Sequence, residues 1–202
     1  MLVRVVRHGQ PAVSGLQAGI NHEFPPSDCA LTALGRKQAA FLGEYLKKQG
    51  DCGKIISSPY ARTLETAQIV AEICDRNFYV DSLIQEGRFY PEPTCPGMTL
   101  DEIRTHFNKL APDARLEWPW ITPDGVESWA HTRWRIDRFM EHLPVSPDAE
   151  NILIVGHGAS VGALKQYFFE KCGVHFERYN WNCSLSEFEL LPDRSWRINF
   201  VS

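Results

Sequence analysis

The sequence predicts an α/β protein, a three-layer α/β/α sandwich with a mostly parallel central sheet and a cap insertion. Short runs of aliphatic and β-branched residues occur at positions 2–6, 54–58 and 151–155, as expected of strands that are covered on both faces. Segments with apolar residues at helical spacing separate these runs. Strands and helices therefore alternate, and that alternation builds a parallel sheet with helices on both sides.

The first strand ends abruptly in Arg7-His8-Gly9. Ligands of open α/β sheets bind beyond the carboxyl ends of the strands, so an arginine, a histidine and a glycine that permits close approach suggest an anion site there. A loop rich in proline and glycine follows over residues 10–30. Thr32 then has the position of an N-cap, and we expect its helix to stop near Gly50.

The second and third strands lead to two further residues of chemical interest. Ser58-Pro59 follows the second strand and predicts a helix with Ser58 as its cap and Arg62 in its first turn. A third strand is expected at residues 79–84, and it leads directly to Glu86.

The composition changes over residues 89–125, which are rich in proline and include Trp118 and Trp120. One short helix is indicated there by the capping box that Thr99 and Glu102 can form. We interpret this segment as a cap inserted into the α/β domain.

The last third of the chain carries a second histidine at a strand end, in Gly156-His157-Gly158. The elements around it are predicted as a helix at 126–143, a strand at 151–155, a helix at 160–171 and a hairpin of strands at 184–190 and 196–201.

Length and composition set limits on the fold and on the partners. With 202 residues, 44% of them hydrophobic, we expect a single domain over residues 1–202 with the cap at about 89–125. A formal net charge of -4 argues against nucleic acid or an anionic membrane as partner. The six cysteines include no Cys-x-x-Cys pair, so reduced thiols are expected. The N-terminus has no signal-peptide pattern, which favours a cytoplasmic protein.

The predicted topology brings Arg7 with His8, Arg62, Glu86 and His157 to one edge of one sheet. The two arginines supply forks of N–H donors that match phosphate oxygens, and the start of the helix after Pro59 adds free backbone N–H groups. A neutral imidazole at such a place can attack phosphorus, and a second one can stabilise the oxygens of the transferring group.

A metal site is the alternative for two histidines and a glutamate. The sequence contains no His-x-x-x-His pair, and the two arginines would repel a cation. We therefore expect no metal ion and no organic cofactor.

These motifs resemble the histidine phosphatase superfamily, which includes the cofactor-dependent phosphoglycerate mutases. The resemblance is carried by three catalytic segments in the family's order and by two flanking ones: Arg7-His8-Gly9-Gln10, Ser57-Ser58-Pro59-x-x-Arg62-Thr63-x-x-Thr66-Ala67, Gly156-His157-Gly158, Asp28-x-x-Leu31-Thr32-x-x-Gly35-x-x-Gln38-Ala39 and Gly125-x-Glu127-Ser128. It covers most of the chain outside the cap.

The resemblance implies a role for each matching residue. His8 corresponds to the residue that is phosphorylated in turnover, and Glu86 to the proton donor. The phosphate pocket corresponds to the following set: Arg7, Gly9, Gln10, Arg62, His157 and Gly158. The chain departs from the mutase pattern in two segments, Gly87-Arg88-Phe89-Tyr90 and Pro11-Ala12-Val13. Both departures favour a phosphatase over a mutase.

We therefore expect a phosphomonoesterase that acts on a small phosphorylated metabolite or a phosphopeptide. A phosphoglycerate-type mutase and a phosphate-binding module without turnover remain open as alternatives. The phosphate pocket recognises a group that all substrates share, so the cap should carry specificity, with Trp118 and Trp120 as candidates for lining the substrate pocket.

Overall fold

The computed structural model describes residues 1–12, 28–89, 97–120, 126–175 and 181–202. Most of the predicted loop at 10–30 and both ends of the predicted cap lie outside these residues. The strands are β1 (Leu2–Arg7), β2 (Lys54–Ser57), β3 (Phe78–Val80), β4 (Ile152–Gly156), β5 (Leu185–Leu190) and β6 (Trp196–Phe200). The helices are α1 (Ala33–Lys48), α2 (Ala61–Cys74), α3 (Leu100–His106), α4 (Trp129–His142) and α5 (Gly158–Lys171), with a 3-10 turn at Ser82–Ile84.

The strands form one six-stranded sheet in the order β3-β2-β4-β1-β5-β6. The first four of these are parallel, and β5 and β6 extend the sheet as an antiparallel hairpin. Because these four strands are parallel, their carboxyl ends meet at one edge of the sheet. The predicted fold class and terminal hairpin are confirmed.

Two buried clusters fill the space on the two sides of the sheet. One joins α1 and α2 to the segment that carries α3, with Leu46, Leu64 and Ile103 fully buried. The other joins α4 and α5, with Ile136 and Phe168 fully buried. A sheet with an apolar layer on each face makes the three-layer arrangement that the buried strands predicted. None of the helices in the described residues is both long enough and apolar enough to cross a membrane.

Side-chain caps start several helices where the sequence predicted them. The Thr32 hydroxyl accepts a hydrogen bond from the Gly35 amide at 2.9 Å. Thr99 and Glu102 form the predicted reciprocal capping box of α3. These caps are local in sequence, which is why the pattern alone could predict them.

The start of α2 differs from the prediction. The helix begins at Ala61, with Tyr60 at the N-cap and no cap from its side chain. The Ala61 amide instead donates to the carboxylate of Asp28 at 2.6 Å. Ser58 is not the cap because its hydroxyl bonds to His157, as described below. Arg62 still lies in the first turn, as predicted.

The third strand is also shorter than predicted. It covers only Phe78–Val80, and a 3-10 turn at Ser82–Ile84 follows. The Asp81 carboxylate accepts from the Leu83 amide at 2.8 Å, and this bond starts the turn in place of a longer strand. Glu86 therefore follows a 3-10 turn and not the strand itself.

The prediction that all cysteines are reduced is wrong for two of them. Cys52 and Cys74 form a disulfide, with 6.5 Å between their Cα atoms. One precedes β2 and the other ends α2, so the crossover brings them together although they are 22 residues apart. No short cysteine motif signals such a pair in the sequence.

We expect the double variant Cys52→Ala/Cys74→Ala to unfold with a free energy lower by about 3 kcal/mol, because the bridge limits the freedom of the unfolded chain. Urea denaturation followed by circular dichroism measures this difference. The variant Cys172→Ala, which removes an unbridged thiol, is the control. Identical transitions for the oxidised protein and the Cys52→Ala/Cys74→Ala variant would contradict the prediction.

Candidate active site

The carboxyl edge of the parallel strands holds the side chains that the sequence singled out. His8 follows β1 and His157 follows β4, and their ring centroids lie 5.2 Å apart. A Cβ built on Gly158 would lie 3.6 Å from Glu86 Oε2 and 3.9 Å from the guanidinium carbon of Arg7. Gly158 thus lies close to both side chains, and the topology brings these residues together as predicted.

His8 is held as a neutral ring with a defined tautomer. It is 2% exposed, and its Nδ1 lies 2.6 Å from the carbonyl oxygen of Gly9. A carbonyl can only accept, so Nδ1 carries the proton and Nε2 keeps its lone pair. Burial, followed by the charge of Arg62, lowers the pKa of His8 to about 3. The lone pair of Nε2 is therefore available for nucleophilic attack at neutral pH.

The backbone after His8 is fixed by contacts with three other parts of the chain. The Gly9 amide donates to Thr66 Oγ1 at 3.1 Å. A Cβ on Gly9 would lie 2.5 Å from the carbonyl oxygen of Gly35, so this approach requires glycine. The side-chain amide of Asn182 donates to the His8 carbonyl at 3.2 Å. The backbone N–H of Cys183 donates to the Arg7 carbonyl at 2.9 Å. Nothing in the sequence pattern indicated Asn182.

His157 is fully buried, and its Nε2 lies 2.8 Å from the hydroxyl of Ser58. Its own backbone N–H donates to Ser160 Oγ at 2.9 Å. Burial holds the pKa of His157 well below its ordinary value, and the charge of Arg62 adds to the effect. His157 is therefore also neutral, and its ring orientation is set by β2.

Arg62 projects from the first turn of α2 toward the two histidines. Its guanidinium carbon lies 4.5 Å from the centroid of the Tyr60 ring, a distance typical of a cation–π contact. The Tyr60 ring in turn packs edge-on against His157, with 5.1 Å between centroids. Tyr60 thus contacts both Arg62 and His157, a role that the sequence did not indicate.

Asp28 is a buried carboxyl group behind Arg62. It is 1% exposed, and burial raises its pKa to about 7, although the Arg62 charge opposes that rise. Because Asp28 accepts from Ala61 at the start of α2, it links the loop before α1 to the turn that carries Arg62.

Glu86 lies at the N-terminus of α5. Its carboxylate accepts hydrogen bonds from the amides of Ala159 at 2.8 Å, Gly87 at 3.0 Å and Gly158 at 3.1 Å. The free N–H groups and the dipole of a helix N-terminus favour a negative charge there. Glu86 therefore lies next to Gly158 with both oxygens held in place, at the edge where the prediction placed it.

Gln10 faces α1. Its side-chain oxygen accepts from the Thr32 hydroxyl at 2.8 Å, and its backbone N–H donates to Gln38 at 2.8 Å. These bonds fasten the loop after His8 to the start of α1. A phosphate contact for Gln10 stays a prediction.

The two cap tryptophans have different positions. Trp120 is 5% exposed, packs edge-on against Tyr60 with 4.9 Å between centroids, and donates to the Met98 carbonyl at 2.9 Å. Trp118 is 52% exposed and donates to the Gly97 carbonyl at 3.0 Å. Trp120 therefore lies behind Tyr60, one layer from the histidines, whereas Trp118 lies at the surface.

The described residues contain no cluster of three or more His, Cys, Asp or Glu side chains that could hold a metal ion. The edge instead combines two neutral histidines, two arginines and one carboxylate held at a helix N-terminus. That donor set suits a phosphoryl group, which needs positive charge at its oxygens and a nucleophile at phosphorus.

Comparison with known sequences agrees with this chemistry. The family model of the histidine phosphatase superfamily (branch 1) matches residues 3–201. A probable phosphoglycerate mutase of Serratia proteamaculans is 30% identical over 169 residues, which cover 80% of this chain and 72% of that protein. A bifunctional protein of Mycobacterium tuberculosis is 24% identical over 204 residues, which cover 98% of this chain. This chain spans about half the length of that relative, 52%.

Comparison with solved structures gives the same fold. The ecdysone phosphate phosphatase of Bombix mori, solved with tungstate, has a TM-score of 0.74 at 16% identity, covering 98% of this chain and 92% of that one. A mycobacterial glucosyl-3-phosphoglycerate phosphatase, solved with VO3, has a TM-score of 0.64 at 23% identity, covering 98% and 97%. These likenesses show the fold, and the family model that matches nearly the whole chain shows that the protein belongs to the histidine phosphatase superfamily, branch 1.

Proposed function

We propose that this protein is a metal-independent phosphomonoesterase that works through a phosphohistidine on His8. The observation that carries the proposal is the 2.6 Å contact between Nδ1 of His8 and the Gly9 carbonyl oxygen. Because a carbonyl only accepts, this contact leaves Nε2 as a nucleophile in a pocket lined by arginines. A module that only binds phosphate would have no use for a buried neutral imidazole held in this way.

The first half-reaction transfers the phosphoryl group to the enzyme. Nε2 of His8 forms a bond to phosphorus while the bond from phosphorus to the leaving oxygen breaks. Arg7, Arg62 and His157 stabilise the charge on the oxygens of the transferring group. Glu86 gives the leaving oxygen the proton that it took from water in the preceding turnover. The three backbone N–H groups around Glu86 stabilise the carboxylate that this transfer produces.

The second half-reaction regenerates the enzyme. The Glu86 carboxylate takes a proton from water, and the water oxygen attacks the phosphorus of phosphohistidine. The bond from phosphorus to Nε2 breaks, so inorganic phosphate leaves and His8 returns to its neutral form. Glu86 is then protonated again and ready for the next substrate.

Trapping the intermediate tests the proposal. We expect mixing with p-nitrophenyl phosphate, followed by a rapid quench at alkaline pH, to give a phosphorylated protein, because phosphohistidine is labile in acid. Mass spectrometry of peptides should locate the phosphoryl group on His8. A burst of nitrophenolate without a labelled protein, or a label on another residue, would overturn the assignment.

A mutase activity is the second candidate, because the Serratia relative is named a probable phosphoglycerate mutase. A mutase would return the phosphoryl group from His8 to a second hydroxyl of the same molecule instead of to water. Incubation with 3-phosphoglycerate separates the two functions, since a phosphatase releases inorganic phosphate and a mutase yields 2-phosphoglycerate.

We expect vanadate to inhibit strongly, because its trigonal-bipyramidal adduct resembles the in-line transition state. EDTA should leave the rate unchanged, since the proposed steps use only side chains. Initial rates with p-nitrophenyl phosphate measure both effects. A loss of activity in EDTA that a divalent cation restores would contradict the proposed chemistry.

A further inference from the structure

A buried ion pair lies behind the segment that carries Glu86. Arg135, on α4, has only 5% of its surface exposed. Its Nε donates to Glu127 Oε1 at 2.6 Å and its Nη2 donates to Glu127 Oε2 at 2.7 Å. Burial alone would raise the pKa of Glu127, but the bonds and charge of Arg135 outweigh it and hold that pKa below its ordinary value. The pair is therefore fully charged, and its geometry is that of two matched forks.

The remaining donors of the pair reach the backbone on both sides of Glu86. Nη1 of Arg135 donates to the carbonyl of Leu83 and, at 3.3 Å, to that of Gln85. The backbone N–H of Glu127 donates to the carbonyl of Arg88 at 2.5 Å. The pair thus bonds to the chain before Glu86 and after it.

The backbone from Gln85 to Arg88 lies between a 3-10 turn and the cap and, within the described residues, belongs to no helix or strand. Side-chain contacts therefore help to fix it, beside the bond from the Gln85 N–H to the Ser82 carbonyl at 3.1 Å. A guanidinium group offers five N–H donors in one rigid plane, so a single side chain can fix several acceptors at once. A lysine in its place would keep the charge and lose the fork.

We propose that Arg135 and Glu127 are positioning residues that hold Glu86 against the N-terminus of α5. This inference rests on the proposed function, because it concerns the group that protonates the leaving oxygen. Neither side chain needs to contact substrate. Their effect reaches the reaction through the place and orientation of the Glu86 carboxylate.

A purely structural role makes a different prediction. If the pair only stabilised the fold, its loss would slow the reaction of all substrates equally. If the pair acts through Glu86, its loss slows only the step that needs a proton. That step matters for alkyl phosphates, whose leaving oxygens are strongly basic, and hardly for p-nitrophenyl phosphate.

The test compares Arg135→Lys and Glu127→Gln with a matched control, Arg133→Lys. Arg133 lies on the same helix and forms a similar fork with Glu170, with both N–O distances at 2.8 Å, and it is bonded to Asp137 instead of to the Glu86 segment. Single-turnover rates of phosphohistidine formation are measured with an alkyl phosphate and with p-nitrophenyl phosphate. Circular dichroism at the assay temperature checks that each variant is folded.

We expect Arg135→Lys to slow the alkyl phosphate reaction at least 10-fold and the p-nitrophenyl phosphate reaction less than threefold. Arg133→Lys should leave the ratio of these two rates unchanged. In a Glu86→Gln background, Arg135→Lys should add no further selectivity, since the positioned group is gone. If Arg135→Lys proves unfolded, the nearly isosteric Glu127→Gln, which removes the negative charge of the pair but keeps an acceptor oxygen for Arg135, must show the same selectivity.

Equal slowing of both substrates by folded Arg135→Lys and Glu127→Gln, or a selective loss in Arg133→Lys, would overturn the inference. That failure differs from a failure of the proposed function. If His8 is not phosphorylated, or if Glu86→Gln itself lacks selectivity, the proposed role of His8 as nucleophile or of Glu86 as proton donor is wrong. If Glu86→Gln is selective and the pair is not, only the positioning role is wrong.

Discussion

The His8→Ala variant is expected to lose on the order of 10⁴-fold or more in kcat with any phosphomonoester, because removal of a nucleophile ends the covalent route. The size of the loss follows from the way the ring is held. Its Nδ1–H bond to Gly9 and its burial keep Nε2 unprotonated, whereas Nε2 of His157, the second histidine at the edge, is bonded to the Ser58 hydroxyl. We therefore expect no other side chain to replace His8 as the nucleophile.

Steady-state assays and the trapping experiment together measure this loss. His175→Ala is the control, because His175 is exposed and follows the C-terminal end of α5, about 20 Å of helix away from the edge. The fold of His8→Ala should be retained, since alanine removes no buried charge. A labelled His8→Ala protein, or a loss of less than tenfold, would exclude His8 as the nucleophile.

The convergence of the site residues could be predicted because it depends on topology alone. Strands of a parallel sheet end at one edge, so a residue that follows a strand in sequence lies at that edge in space. His8 and His157 directly follow β1 and β4, and Arg7 is the last residue of β1. Glu86 reaches the same edge after a 3-10 turn, and the structure brings these residues together. The helix caps of α1 and α3 could also be predicted, because each cap hydroxyl accepts from an amide only three residues further along the chain.

The features that were missed depend on contacts distant in sequence. The sequence suggested Ser58 as a helix cap, but a partner 99 residues away, His157, bonds its hydroxyl. The Ala61 amide is then capped by Asp28, 33 residues away. The disulfide between Cys52 and Cys74 needed knowledge of how α2 packs on β2. Tertiary competition of this kind overrides local propensity, and no short pattern records it.

The Glu86→Gln variant should lose about 10²–10⁴-fold in the rate of phosphohistidine formation from alkyl phosphates, the range typical of general acid assistance. A leaving oxygen of high pKa needs a proton as the bond to phosphorus breaks, whereas a nitrophenolate leaves almost unaided. We therefore expect a much smaller loss with p-nitrophenyl phosphate. Glutamine has one side-chain oxygen, which can still accept from the amides of Ala159 and Gly87 at the place of Oε1. Its NH2 group takes the place of Oε2, so the bond from the Gly158 amide is lost.

Single-turnover bursts must be compared, because the same carboxylate serves as base in the second half-reaction and would mask the difference in steady state. Asp81→Asn is the matched control, since Asp81 lies in the same connection and its carboxylate accepts from the Leu83 amide, away from the N-terminus of α5. For Asp81→Asn, the ratio of the burst rates with an alkyl phosphate and with p-nitrophenyl phosphate should equal that of the wild type. If Glu86→Gln slows both substrates equally, Glu86 supplies electrostatic or structural support instead of a proton. The donor would then be sought in the cap, beginning with Glu92, which lies outside the described residues.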